Sequence, residues 1–105
     1  MSQLPFLTTI HVPPQVTSGE AFTLGIQGHW PTPAWGHVDT KLEFGDHRVE
    51  VSYLGISRGG LAVQMLQAFS DSVELELETV GTWTVVVRGR AGEQTATTTV
   101  RPQSS

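Results

Sequence analysis

Apolar and polar residues alternate with period two along most of the chain, a pattern that strands with one buried face satisfy and helices do not. Residues 8–12 place Ile10 and Val12 on one face. Pro13 and Pro14, which have no N–H for a ladder, stop that strand. A turn at Ser18-Gly19-Glu20 leads into Phe22, Leu24 and Ile26 on one face. Val38, Leu42 and Phe44 then alternate with Asp39, Lys41 and Glu43. After a Gly45-Asp46-His47 turn, Val49, Val51 and Tyr53 alternate with Arg48, Glu50 and Ser52. Val73, Leu75 and Leu77 face in, against Glu74, Glu76 and Glu78. Composition agrees: twelve Val, thirteen Thr and three Ile make the chain rich in β-branched side chains, which suit a pleated sheet better than a helix.

Two stretches break the pattern. GHWPTPAWGH, residues 28–37, has two Pro among its Gly and aromatic residues and reads as a loop. Residues 60–69 read either as a short helix, with Leu61, Met65 and Phe69 four apart, or as a strand with Leu61, Val63 and Met65 on one face. The closing segments TWTVVVRGR and EQTATTTVR flank Ala91-Gly92. Pairing Arg90 with Glu93 would match Val87 to Ala96 and Trp83 to Val100. A one-residue slip would bury Thr95, Thr97 and Thr99, so the pattern sets which face is which. The reading is one domain over 1–105 with an ordered core of about 8–101: an all-β antiparallel sandwich of seven or eight strands, with residues 102–105 a frayed tail. Phe22, Leu24, Ile26, Leu42, Val51, Leu75, Trp83, Val85 and Val87 are expected to be buried together.

Charge and cysteine narrow the chemistry. Six Lys and Arg stand against ten Asp and Glu, a net charge of −4, so there is no basic footprint for nucleic acid. Without cysteine there is neither a disulfide, a thiolate metal site nor a Cys nucleophile. No apolar run reaches 18 residues, and no membrane span is expected. The opening MSQLPFLTTIHVPP lacks the basic start and apolar core of a signal peptide. That favours virion or intracellular assembly if Met1 is native, and an extracellular or cell-surface place if the chain is a trimmed piece.

VPPQVTSGEAFTLGIQG resembles the opening of bacterial and phage immunoglobulin-like domains, where a short edge strand, a Pro and a Gly-Glu turn lead into an alternating second strand. VGTWTVVVRGRAGEQTATTTV resembles their closing hairpin, with a Gly-x-aromatic step and a Thr-rich last strand. The resemblance spans about residues 10–101 and implies an immunoglobulin-like sandwich. Its disulfide positions would fall near Leu24 and Val85, both apolar here. Its tyrosine-corner position holds Trp83, whose indole donates one hydrogen bond and cannot accept as a phenol does. Such domains serve as adhesin spacers, enzyme appendages, carbohydrate binders and virion decorations, so the fold leaves function open.

Two constellations stand out. His29, Trp30, Trp35 and His37 share the loop at 28–37. An exposed Trp there would suit stacking on a sugar or anchoring a protein, whereas a Trp folded inward would cap the core. Thr84, Val86, Arg88, Thr95, Thr97 and Thr99 share one nearly uncharged face of the last hairpin, fit for a protein partner or a second copy. His29, His37, Asp39 and His47 would need to converge to hold zinc, but their spacing matches no ligand motif, and no metal or cofactor is expected. No GxSxG elbow marks Ser52, Ser57 or Ser70, and GISRGG lacks the Lys-Ser/Thr step of a phosphate loop. Glu74, Glu76 and Glu78 read as a solvated row that resists edge pairing. The expectation is therefore not an enzyme but an interaction or structural module, binding a protein partner or itself through a sheet face. The alternative is a carbohydrate-binding module using the loop tryptophans, with a hydrolase third.

Overall fold

In the computed structural model, residues 3–59 and 65–103 are described, and all their regular structure is strand. The strands are β1 (Phe6–His11), β2 (Gln15–Thr17), β3 (Ala21–Trp30), β4 (Trp35–Gly45), β5 (Arg48–Ser57), β6 (Gln67–Glu76), β7 (Gly81–Arg88) and β8 (Glu93–Arg101). They form two packed sheets, one of three strands in the order β1-β3-β6 and one of five in the order β2-β8-β7-β5-β4. The turn before β3 needs left-handed backbone at Gly19, φ 77°, which costs a residue without Cβ nothing. The β4–β5 turn needs the same at His47, φ 54°, where a side chain must be held in place to justify it.

The core lies between the sheets. Leu24, Ile26, Val49, Val51, Val85 and Val87 are fully buried, joined by Trp30, Tyr53, Leu75, Leu77, Trp83 and Val100, with Phe22 partly buried beside them. Ahead of β1, Pro5 is buried, and Gln3 exchanges backbone hydrogen bonds with Gly55.

Several expectations need correction. No helix occupies the described part of 60–69; β6 begins at Gln67, and residues 60–64 lie outside the described residues. The loop at 28–37 shrinks to residues 31–34, because β3 runs on to Trp30 and β4 starts at Trp35. The sheets are not wholly antiparallel: β2 pairs parallel with β8, and β5 parallel with β7. Leaving the large sheet at the end of β5, the chain returns through β6 in the other sheet, so β7 runs in the same direction as β5.

Leu42 is not in the core. Its partner across the β4–β5 ladder is Val51, and that of Phe44 is Val49, so both point to the inner side. The three-stranded sheet is too narrow to reach β4, and Leu42 stays 39% exposed and Phe44 57%. A bulge between His37 and Asp39 leaves Val38 without a partner and exposed. The last hairpin pairs Arg88 with Glu93 and Val85 with Ala96, two residues away from the expected register. Residues 89–92 turn the chain in place of Ala91-Gly92 alone, and the backbone N–H of Arg90 ties that turn to the Pro5 carbonyl at 2.9 Å. An even slip preserves the faces, so inward and outward residues remain as expected.

Candidate functional site

The aromatic stretch forms a plug. Trp30 is the last residue of β3 and is 4% exposed. Its ring packs against Phe69 of β6 at 5.1 Å between centroids and near Tyr53 of β5 at 6.2 Å, closing the core between the sheets. It passes so close to Gly55 that a Cβ there would overlap its six-membered ring, which explains the glycine. Trp35, partly buried at the start of β4, lies parallel to Trp30 at 6.0 Å, and the Arg90 guanidinium sits over its ring at 5.0 Å. Arg90 also covers the Phe6 ring at 5.4 Å and donates to the Leu4 carbonyl. Trp35 therefore touches protein through both Trp30 and Arg90.

The two loop histidines part company. His37 stacks on Tyr53 at 4.1 Å, with its Nε2 2.8 Å from Thr40 Oγ1. His29 points to the outer face of the small sheet. There it lines a shallow depression with Thr8, Gln27, Ala68, Phe69 and Ser70. Asp39 accepts the backbone N–H of Thr40 at 2.8 Å. His47 lies at the far end of the β4–β5 hairpin from His37, so the zinc constellation does not assemble. Among the described residues, no three His, Asp or Glu gather closely enough to hold a metal ion.

At its own end His47 is held from two sides. Val80 O accepts from Nε2 at 3.0 Å and Asp46 Oδ1 from Nδ1 at 2.9 Å, an arrangement in which both ring nitrogens carry protons. The Val80 carbonyl first and the Asp46 carboxylate second raise the His47 pKa above its ordinary 6.5. The ring also tilts against Trp83 at 5.4 Å, so the unusual backbone at this position carries a built contact.

One polar link joins the sheets beyond the residues singled out from the sequence. Tyr53, 3% exposed, donates its hydroxyl to the Asp71 carboxylate and so ties β5 to β6 across the two sheets. Burial, and then the carboxylate, push the phenol well above its ordinary 10.0. The Tyr53 hydroxyl is the main cause holding Asp71 below its ordinary value; the Ser72 N–H and the nearby His37 also help, while partial burial opposes them. The signal was present: Asp71 has the parity of Val73, Leu75 and Leu77, so alternation turns one carboxylate inward.

The last-hairpin residues do share one surface. Register places Thr84 beside Thr97, Val86 beside Thr95, Arg88 beside Glu93 and Thr82 beside Thr99, all on the outer face of the five-stranded sheet. Thr95, Thr97, Thr99 and Arg88 are exposed and Thr84 partly so. Val86 is 2% exposed, walled in on the middle strand by its neighbours on β5 and β8, which include Glu50 and Thr95. Gln15 of β2 continues the threonine surface beside Thr99, Thr17 lies beside the exposed Arg101 at its end, and Arg48 and Glu50 of β5 border it on the other side. The outer face of the small sheet carries Ser70 and Ser72 but also Glu74 and Glu76. No helix among the described residues is long and apolar enough to cross a membrane. No protein family, curated protein or solved structure matches the chain.

Proposed function

We propose that the chain is a non-catalytic interaction module, an immunoglobulin-like sandwich that seats a protein partner on the outer face of its five-stranded sheet. The observation that carries this reading is the threonine surface of β7 and β8, with Thr84, Thr95, Thr97 and Thr99 at its centre and its charges at the margins, Arg88 and Glu93 at one end, Arg101 at the other and Arg48 and Glu50 along β5. A flat patch poor in Lys and Glu is what the centre of an interface requires, and the rigid sheet below it loses little entropy on binding. The immunoglobulin-like part of the reading draws support from the division of strands, with the first, third and sixth in one sheet and the closing hairpin in the other. Trp83 supports it too, since its indole N–H donates to the Thr79 carbonyl four residues upstream at 2.7 Å, the kind of backbone tie a tyrosine corner makes. The parallel β5–β7 pair departs from that family's antiparallel sheets.

The glycan alternative loses its footing in the loop. A sugar platform needs an open indole face, whereas Trp30 is buried and Trp35 is engaged by Trp30 and Arg90. The test is a photo-crosslinking side chain at position 97, with a control at position 74 on the opposite sheet, in an extract of the source cells. Crosslinking to a discrete partner from position 97 alone supports the reading. Equal crosslinking from both positions, or none from 97, counts against it.

A further inference from the structure

The free edge of the large sheet carries a pattern that the outer face does not use. Among the described residues β4 pairs with β5 alone, which leaves its other row of backbone N–H and C=O groups open along a strand of 11 residues. On its inner side Leu42 and Phe44 remain 39% and 57% exposed beside the fully buried Val51 and Val49. A long edge with apolar side chains and unpaired backbone is a template for another strand.

We propose that two copies of this chain pair antiparallel through β4 about a twofold axis at Leu42, joining their large sheets into one. Residues opposite one another across such a ladder must lie on the same face, which restricts the axis to a few positions. An axis at Lys41 sets Lys41 against its copy and Asp39 against Glu43, like charges throughout, and an axis at Glu43 opposes two carboxylates. An axis at Thr40 sets Lys41 against Asp39 favourably. It then runs Leu42 into the unpartnered Val38, where the bulge at His37/Asp39 breaks the ladder. An axis at Leu42 meets none of these conflicts. The regular stretch between the bulge and the turn is 39–45, and Leu42 is its midpoint. Leu42 then meets its copy, Thr40 meets Phe44 twice on the inner side, and Lys41 meets Glu43 twice on the outer side. The twofold is perpendicular to the sheet, so both outer faces look the same way. That arrangement would present the proposed partner surface twice, although the pairing itself does not depend on that reading.

Charge reversal tests the register. Lys41 and Glu43 are both exposed, and their substitution leaves the core untouched. Sedimentation equilibrium should show a dimer for the parent. Lys41→Glu and Glu43→Lys should each weaken it by at least about tenfold, because each variant places like charges opposite one another at two symmetric positions. The double variant K41E/E43K should restore the dimer, and an equimolar mixture of the two single variants should form a heterodimer. A parent that stays monomeric at high micromolar concentration overturns the proposal. So does a Glu43→Lys variant that dimerises like the parent, or a double variant that fails to recover. Each outcome is independent of crosslinking at position 97.

Discussion

Trp83 is 5% exposed, its indole N–H is satisfied by Thr79 O, and the His47 ring lies against it. Trp83→Ala should therefore lower unfolding free energy by about 3–5 kcal/mol in urea denaturation, the range for emptying a large aromatic site. The Tyr53–Asp71 bond is a smaller effect, because Asp71, although on the inward side of β6, remains exposed to water. Tyr53→Phe should cost about 1 kcal/mol near neutral pH. Its pH dependence follows from the lowered Asp71 pKa. The stabilisation is complete above the ordinary carboxylate value of 3.8 and is lost as pH falls through the lower folded value. Parent and Tyr53→Phe melting curves should accordingly converge in strong acid. His47 behaves in the opposite sense. With its folded pKa raised, its contribution is complete below 6.5 and fades as pH rises through the folded value. A His47→Gln variant should melt below the parent in mild acid and draw level with it in alkali; a gap that is unchanged across that range would show that the imidazolium is not what is held.

At the scale of elements, alternation was a sound guide to which residues share a face and a poor guide to whether that face is covered. In β3, β5 and β7 the inward residues Leu24, Ile26, Val49, Val51, Val85 and Val87 are all buried. The same pattern in β4 leaves Leu42 and Phe44 in solvent, since coverage depends on the width of the opposite sheet, a property no single strand encodes. The difference can be measured in dilute protein. Leu24→Ala should cost about 2–5 kcal/mol, whereas Leu42→Ser should stay within about 0.5 kcal/mol of the parent. The hairpin register departs from the expected one for a related reason. Ala91-Gly92 is a weak turn signal, and the turn that forms is held by Pro5, a partner 85 residues away along the chain. Residues 28–37 misled because Pro and Gly density reads as loop, while the packing of Trp30 on Phe69 and Tyr53 extends β3 almost to the first Pro.

For the whole molecule, the all-β sandwich was legible because β-branched residues and period-two alternation agree along nearly the entire chain. Strand order was not, because β5 reaches β7 only by a detour through the other sheet, and alternation says nothing about neighbours. The candidate surface was half legible. The sequence already grouped Thr84, Arg88, Thr95, Thr97 and Thr99 on one face, but it could not show that Val86 is enclosed by neighbouring strands or that the loop tryptophans turn inward. The working claim is thus that a sheet face, and not the aromatic loop, makes the productive contact. The most direct measurement sets the two against each other in one partner-capture assay, using variants shown by circular dichroism to be folded. Thr95→Glu with Thr97→Glu should abolish capture, since it places charge at the centre of a contact that must shed water, while Trp35→Ala should capture as the parent does. Capture that survives the threonine changes and is lost with Trp35 would contradict the account.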